Sequence, residues 1–488
     1  MNATVLRRRA ASAALLAAVA LFAAPAVAGD KPATLEGAQM LQALFDRFFP
    51  APAPGNSSPV NVKPDGQDYV VSADLSALNG LFKGAGADAS ADPATLVYKL
   101  FAQDDGKWRS VQGSLPRIVT HSTDATSVFE IDNYRQTIVI DPALAWWTSG
   151  AASADKGRLA TEGPRLAQAF DFGSLKGAYD TSVNADGTVS STIREEVSDV
   201  AFKISSTDKD GKSVGSSGRM EKAAFTVGVD RLNSRRLFDL VNLLSADRSD
   251  LAQHETELKG LLRPFAAPGL RFVEGGEASK VIVGSPFGAI ALADAKFAVG
   301  ASNGGADSAL DATISAEGLS LPIGLVPPNA AGLTPSKIDL AFTVSGIDFA
   351  AAANQAIDSF HLGGPGPAIA DADSAKVAAA LFGAGPLKIA IAPSHVVAPA
   401  IDSDIQGELR YTGGKASGAV TVRMRGFDKT MSAVRGLGPD IALKTLPMVA
   451  MAKGLAKTES DGALSWLIEV GDDRSIRVNG IPLGKAPQ

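Results

Sequence analysis

Cysteine is absent from the 488-residue chain, and His, Trp and Tyr number only 4, 4 and 5. Without Cys, no disulfide framework, thiolate zinc site, iron–sulfur cluster, cysteine nucleophile or cysteine-linked lipid anchor can form. The 46 basic residues are outnumbered by 52 acidic ones, so no strong positive field attracts nucleic acid. After the N-terminus, no segment approaches the roughly 18 uncharged apolar residues of a membrane-spanning helix.

The N-terminus is typical of an export signal. Arginines at 7–9 precede an apolar run over 10–24, and Ala26-Val27-Ala28 supplies a small-x-small cleavage site. We therefore predict a signal peptide over 1–28, cleavage before Gly29, and a soluble periplasmic or secreted product. Removing three Arg leaves 43 basic and 52 acidic residues, a net charge of -9 that disfavours anionic lipid. An uncleaved membrane anchor is the alternative, and the export route stays open between the Sec and twin-arginine pathways.

A helix is predicted from Leu35 to Phe49, with Thr34 as its N-terminal cap. Its apolar stripe follows helical spacing over Leu41, Leu44, Phe45, Phe48 and Phe49. Such a stripe favours docking on a core over lying on a membrane surface, because Arg47 alone supplies positive charge there. A Pro-rich linker follows at 50–55.

Alternating β-type runs separated by turn residues dominate the rest of the chain. Asp-Gly pairs between apolar runs predict hairpins, since Gly accepts the positive φ of a tight turn, at Asp105-Gly106, Asp186-Gly187 and Asp210-Gly211. Ser127–Ile131 and Gln136–Ile140 are predicted to pair around Asn133, and Asp141-Pro142 ends the second run. Further strands are predicted at Ala278–Val283, Ile290–Val299, Ala309–Ala316, Ile338–Val344, Leu387–Ile391, Asp404–Tyr411, Gly418–Met424, Leu464–Val470 and Ser475–Val478.

One local pattern recurs four times: a β-type run, then an Asp, then a segment of helical period. The four acidic residues are Asp74, Asp230, Asp348 and Asp428. An Asp at this position can accept a hydrogen bond from an early helix N–H and favours the positive end of the helix dipole. We therefore interpret them as helix caps and not as catalytic carboxylates, and we expect Asp230, Asp348 and Asp428 to lie at or within two residues of a helix N-terminus. The predicted fold class is mainly β (β-rich α+β), an extended, curved antiparallel sheet with short helices in repeated strand-to-helix modules.

Three units are predicted after the signal peptide, as expected from the chain length. Residues 29–160 hold the helix, the linker and a first β unit, and 161–262 hold a second β unit with one strand-to-helix module. Residues 263–488 form a C-terminal β unit with two such modules.

The search for chemistry gives no catalytic, cofactor-binding or metal-ligating residue. No two histidines share a metal-ligand spacing among His121, His254, His361 and His395. His254 reads as part of a charged surface helix, and His121 and His395 as loop residues. Gly211-Lys212-Ser213 lacks the leading glycine of a phosphate loop, and the calcium-like run from Asp208 ends in Ser217 instead of Glu. Trp146-Trp147 is interpreted as one buried ring covered by the other.

The strand-to-helix modules and the closing run from Val478 to Gly484 resemble YdgA-like and AsmA-like exported envelope proteins of Gram-negative bacteria. This resemblance implies a long curved antiparallel sheet and, for AsmA-like proteins, a part in moving lipid between membranes. It supplies no catalytic residues. The cleavable N-terminus differs from the retained anchor of AsmA-like proteins.

Three functions are compatible with these observations. The first is a non-catalytic periplasmic protein that binds a hydrophobic ligand such as lipid, without a cofactor, or that assists envelope assembly. The second is a structural or protein-interaction module without a ligand groove, with another envelope protein as partner. The third is a hydrolase of envelope polymers. A continuous apolar groove would favour the first, and the oligomeric state is left open.

Overall fold

The structure is a computed structural model that describes residues 32–48, 58–74, 90–92, 95–113, 115–122, 125–207, 212–245, 252–322, 325–326, 328–362, 368–383 and 385–485. The predicted signal peptide, the segment after Asp74 and the Asp210-Gly211 turn lie outside these residues. No helix in these ranges combines the length and apolar character that crossing a membrane requires.

The protein is mainly β, with 56% strand and 23% helix, which confirms the predicted fold class. The strands are β1 (Val60–Asp65), β2 (Asp68–Asp74), β3 (Ser90–Asp92), β4 (Thr95–Ala102), β5 (Trp108–Gln112), β6 (Ile118–Ser122), β7 (Ala125–Asp132), β8 (Arg135–Asp141), β9 (Trp146–Ala154), β10 (Lys156–Glu162), β11 (Leu166–Phe172), β12 (Ser174–Val183), β13 (Val189–Thr207), β14 (Ser213–Leu232), β15 (Arg271–Ser285), β16 (Gly288–Ser302), β17 (Ser308–Glu317), β18 (Lys337–Ile347), β19 (Leu387–Ala398), β20 (Ile401–Thr412), β21 (Lys415–Arg425), β22 (Lys457–Thr458), β23 (Leu464–Val470), β24 (Ser475–Val478) and β25 (Ile481–Lys485).

Short helices interrupt the strands. The α-helices are α1 (Leu35–Phe48), α2 (Ser234–Ser245), α3 (Glu255–Ala266), α4 (Phe349–Ser359), α5 (Asp371–Phe382), α6 (Phe427–Arg435) and α7 (Pro439–Leu455), and 3-10 helices lie at Gly305–Asp307 and Pro328–Leu333. Two compact units emerge among the described residues. Unit 1 holds residues up to 217 with 222–265 and 361–362, and unit 2 holds 218–221, 266–360 and 368–485. The three-part division made from the sequence stays a prediction.

Long strands of unit 1 bend at one row of residues. The bends lie at Asn133, Asp155, Gly173 and Asp199, and two of these residues, Asn133 and Asp199, adopt a φ of 52°. The Asn133 side chain donates to Asp155 at 2.7 Å, and the Gly173 N–H donates to the Ser198 carbonyl at 2.8 Å. On one side of this row β7 pairs with β6 and β10, and on the other β8 pairs with β5 and β9.

The predicted pairing of Ser127–Ile131 with Gln136–Ile140 is therefore wrong, although both strands exist. Asn133 is a bend within one long strand and not a hairpin turn. The physical reason is that Tyr134, only 7% exposed, belongs to the core of unit 1, so the chain continues into the second half of the strand instead of reversing. Asn tolerates the left-handed backbone of such a bend as readily as that of a turn.

The core of unit 1 draws on both halves of the bent sheet and on α1. Buried Trp108 and Tyr98 come from one half and Ile118 from the other, while Ala38 and Leu41 come from α1. As predicted, α1 begins after Thr34, whose hydroxyl accepts from the Gly37 N–H at 3.0 Å. The apolar stripe of this helix thus docks on the sheet.

Two of the predicted Asp-Gly hairpins, at Asp105-Gly106 and Asp186-Gly187, lie within the described residues and are confirmed. Gly106 and Gly187 adopt a φ of 82° and 78°, and they connect β4 to β5 and β12 to β13. In unit 2, strands β15 to β21 pair antiparallel with their neighbours in chain order, and β23 and β24 continue the ladder. A simple meander of this kind follows from short turns between alternating runs.

Three strand-to-helix transitions are present, but their acidic residues differ in role. Asp348 is the cap of α4 and accepts from the Ala351 N–H at 2.8 Å. Asp428 is the second residue of α6, within the predicted distance of the helix start, but it does not cap. The expectation for Asp230 is wrong: it lies in β14, four residues before α2 begins. Asn233 caps α2 instead and accepts from the Arg236 N–H at 3.0 Å, since Asn caps as well as Asp.

Asp348→Ala is expected to lower the free energy of unfolding of unit 2 by about 1 kcal/mol, because the Ala351 N–H loses its acceptor. Asp348→Asn restores an oxygen acceptor and should recover most of that loss. Urea denaturation followed by circular dichroism measures both variants. An equal loss in the Ala and Asn variants would contradict the capping role.

Candidate functional site

One side of the sheet in unit 2 is built from apolar side chains. In β18, Ile338, Leu340, Phe342 and Val344 alternate with polar or small residues, as the two-residue period of a strand requires. Residues directly opposite each other on paired strands share a side of the sheet. We call this surface the apolar face. On β16–β20 its apolar residues include Ala295, Phe297, Val299, Ala301, Leu310, Ala312, Ile314, Ala316, Ile338, Leu340, Phe342, Val344, Leu387, Ile389, Ile391, Val396, Ile405, Leu409 and Tyr411. Two serines on the same side, Ser394 and Ser403, are buried.

Rows of directly opposed residues make the apolar face continuous across strands. Phe297 lies opposite Ile314, which lies opposite Leu340. A parallel row runs over five strands through Ala301, Leu310, Val344, Ile389 and Leu409. Contacts between such cross-strand neighbours make a single apolar surface out of short alternating segments.

The apolar face is exposed. Eight of its large side chains are between 37% and 51% accessible: Phe297, Val299, Leu310, Ile314, Leu340, Phe342, Ile389 and Tyr411. An antiparallel sheet normally turns its apolar side toward a core and its polar side toward water. A contiguous exposed apolar surface marks a place where a ligand, partner or membrane binds.

Gly276 allows an aromatic ring to lie close against the sheet. It sits on β15 opposite Phe297, and a Cβ atom at this position would come within 2.5 Å of the Phe297 ring. The absence of a side chain therefore leaves room for the ring beside the backbone of β15. The Phe297 ring therefore lies close to the β15 backbone and is still 40% exposed.

Charged side chains occupy the opposite side of the same strands. Asp339, His395, Asp404 and Arg423 lie opposite one another across β18–β21. In these fully described strands, β16 to β20 carry no charged side chain on the apolar face. The two sides of the sheet are thus chemically distinct. Water hydrates the charged side favourably, whereas exposure of the apolar side to water is unfavourable.

The charged side is held together by ion pairs. His395 Nδ1 lies 2.7 Å from Asp404, and Arg425 Nη1 lies 3.2 Å from Asp402 and 3.3 Å from Asp404. Partial burial works to raise the pKa of Asp404, but the hydrogen bond with His395 and the guanidinium charges of Arg425 and Arg423 outweigh it, so its pKa is lowered. These carboxylates are satisfied by neighbours, which is the arrangement of a structural charge ladder.

Helices cover the C-terminal end of the apolar side. Val422 on β21 lies opposite Ile405 on one flank and Trp466 on the other, so the apolar side continues onto β23. There Phe427 of α6 and Trp466 form a buried cluster with residues of α7. The sheet is therefore covered at β21–β24 and open at β16–β20.

Each of the four histidines has a polar partner. The loop positions predicted for two of these histidines are wrong. His121 lies in β6, where its Nδ1 is 3.2 Å from the Thr126 hydroxyl, and His395 lies in β19; neither is a loop residue. A β-bulge shifts the register of β19 between Ile391 and Ser394. Pro393 lies in this bulge, where its missing N–H is not needed for the ladder, so the strand continues to His395. Among the described residues, no three His, Asp or Glu side chains form a group able to hold a metal ion.

The charged helix predicted around His254 is present as α3, with His254 just before it. Glu255 at its start receives three hydrogen bonds within unit 1: from Lys259 Nζ at 2.8 Å, from the Leu362 N–H at 2.8 Å and from His361 Nδ1 at 3.1 Å. These donors, Lys259 first, lower the pKa of Glu255 to about 2. The carboxylate ties residues 361–362 to α3.

Glu255→Gln should lower the thermal midpoint of unit 1 at neutral pH, and the difference should shrink in acid. The folded pKa is depressed below the unfolded value of about 4.3. The stabilisation by Glu255 is therefore complete above about pH 4.3 and is lost as the pH falls toward 2. Melting curves of both proteins across this range test the sign, and a difference that grows in acid would contradict it.

Among the described residues, the remaining positions singled out in the sequence do not come together in a common site. Trp146 and Trp147 stack with ring centroids 3.9 Å apart, both partly buried, and Trp146 Nε1 donates to the Ser191 hydroxyl at 2.7 Å. Gly211 and Asp208 lie outside the described residues, and Lys212 and Ser213 lead into β14. Comparison of the chain with protein-family models, curated proteins and solved structures gave no match.

Proposed function

We propose that this chain is a non-catalytic binding protein of the cell envelope, exported by its N-terminal signal, and that its ligand is an acyl chain of a lipid or fatty acid. The observation that carries the proposal is the exposed, uncharged apolar face of β16–β20 in unit 2. A methylene chain laid along the face would cover side chains that otherwise stay in water.

The shape and chemistry of the apolar face suit an extended chain better than a compact polar molecule. Aliphatic and aromatic side chains follow one another in rows, as in the row from Phe297 through Ile314 to Leu340, without an intervening charge. Specific recognition of a polar molecule would need fixed donors and acceptors on this face. The ion pairs of the sheet lie on its other side, around Asp404.

The affinity expected for such a surface is moderate. An open face covers about half of a bound chain, so each methylene gains roughly half of the ~0.8 kcal/mol of full burial. For a chain of about 16 carbons this gives about 6 kcal/mol, which corresponds to a dissociation constant on the order of tens of micromolar. Binding in this range permits both loading and release.

Native mass spectrometry of the exported chain, purified without detergent, tests the proposal. The expected spectrum contains mass additions of lipid or fatty acid, and a fluorescent fatty acid should bind in a separate titration with a dissociation constant on the order of tens of micromolar. A ligand-free spectrum together with no probe binding would overturn the proposal. Tight retention of another protein in place of lipid would favour the protein-interaction alternative.

A further inference from the structure

The outward side of α7 is apolar although it faces solvent. Ile441, Met448 and Met451 follow the spacing i, i+7, i+10 and are 53%, 67% and 59% exposed. Residues at this spacing share one side of a helix, and Lys444 at i+3 is the charged residue of that side. A helix on a water-soluble surface would carry polar residues there.

The last turn of α7, together with Val449, holds the helix against the sheet. Trp466 Nε1 donates to the Ala452 carbonyl at 2.7 Å, and the Asn479 side chain donates to the Leu455 carbonyl at 2.8 Å. Val449 and Leu455 pack against the buried cluster of Phe427 and Trp466. The outward residues therefore contribute little to the packing of α7 on the sheet. Their exposed side chains can contact a partner.

Charge around α6 and α7 is opposite in sign to that of the whole chain. Residues 427–457 contain five basic side chains (Lys429, Arg435, Lys444, Lys453 and Lys457) and two acidic ones (Asp428 and Asp440), a net charge of +3. The complete chain carries -6. A basic, apolar helix is attracted to anionic lipid headgroups and can bury its apolar side at the level of the acyl chains.

We propose that α6 and α7 dock the protein on an anionic lipid surface, with Ile441, Met448 and Met451 inserted at the headgroup boundary and Lys444, on the same side of α7, paired with a lipid phosphate. Lys453 is paired with Asp428 at 2.6 Å and does not take part. The docking helices cover the C-terminal end of the same sheet side that stays open at β16–β20. Resting on the proposed function, this docking brings the apolar face to the surface that supplies its acyl chain.

Sedimentation of the full chain with vesicles tests the docking surface. We expect binding to phosphatidylcholine vesicles that contain phosphatidylglycerol, weaker binding to phosphatidylcholine alone, and a decrease with added salt. Met448→Glu should lower vesicle affinity about tenfold. Met40→Glu is the matched control, because Met40 on α1 is similarly exposed at 58% and receives the same charge, and it should leave vesicle binding unchanged.

Equal losses for Met448→Glu and Met40→Glu, or no loss in either, would overturn the proposal. So would a Met448→Glu variant that converts a dimer into a monomer in light scattering, since the outward side of α7 would then bind a second copy. Titration with the fluorescent fatty acid in vesicle-free solution separates this proposal from the proposed function. Probe binding retained by Met448→Glu supports a docking role, whereas vesicle binding without any probe binding contradicts the ligand-binding proposal alone.

Discussion

Ile314→Glu is expected to weaken binding of a fluorescent fatty acid at least tenfold. Ile314 lies at the middle of the apolar face, between Phe297 and Leu340, and is 49% exposed. A carboxylate there would have to lose its hydration beneath the bound chain, which costs more than the lost methyl contacts. A tenfold loss corresponds to about 1.4 kcal/mol, well within that cost.

Thr313→Glu is the matched control for Ile314→Glu. Thr313 precedes Ile314 on β17, is also exposed, and points to the charged side of the sheet opposite Ala298 and Ala341. Both variants add the same charge to the same strand. A difference in their fatty-acid affinity therefore depends on which side of the sheet carries the charge. Equal affinities in the two variants would place the ligand elsewhere, provided that circular dichroism shows both proteins folded.

Phe427→Ala is expected to destabilise unit 2 by about 3–5 kcal/mol. Phe427 is only 8% exposed, and its ring centroid lies 5.8 Å from that of Trp466, so truncation opens a cavity between α6 and the sheet. The Trp466 indole lies in this cluster and bonds to α7 at Ala452. Urea denaturation followed by circular dichroism measures the change.

Phe382→Ala provides the control for Phe427→Ala. Phe382 ends α5 in the same unit and is 53% exposed, so its truncation should change stability by less than about 0.5 kcal/mol. A loss of similar size in both variants would mean that the Phe427–Trp466 cluster is not a core of unit 2.

Local chemistry made much of the fold predictable. The hairpins at Gly106 and Gly187 require a positive φ that Asp-Gly supplies, and α1 begins where Thr34 can cap it. In the C-terminal half the alternation of short runs was enough to locate Leu464–Val470 and Ser475–Val478 with the observed bounds. Each of these features is decided by residues a few positions apart.

Features that depend on distant residues were misjudged. The sequence predicts a hairpin turn at Asn133. The structure has a bend there instead, because the next residue, Tyr134, is buried in the core. The sequence predicts that the strand ends before Pro393. In the structure β19 continues through a bulge to His395, and this bulge is defined by the pairing of β19 with β20, which carries Asp404. The sequence predicts Asp230 as a helix cap, but β14 continues to Leu232 and the Asp230 carboxylate accepts a hydrogen bond from the distant Ser190 hydroxyl, so Asn233 caps the helix instead.

The sequence predicts the apolar side of the sheet but not its exposure to solvent. Alternation in β18, from Ile338 to Val344, predicts an apolar side, but alternation is the same whether that side meets a core or solvent. Which strands stay open depends on where α6 and α7 pack, and these helices reach the sheet only through contacts such as Phe427 with Trp466. Exposure is a tertiary property that no single segment encodes.

Photocrosslinking with a light-activated fatty acid, mapped to single residues by mass spectrometry, tests the ligand-binding proposal most directly. The expected adducts alternate along the strands, on Leu310 and Ile314 of β17 and on Leu340 and Phe342 of β18, and are competed by unlabelled fatty acid. Neighbours on the charged side, such as Thr313, should stay unmodified. Adducts confined to unit 1, or spread equally over both sides of β17 and β18, would contradict an acyl-binding role for the apolar face.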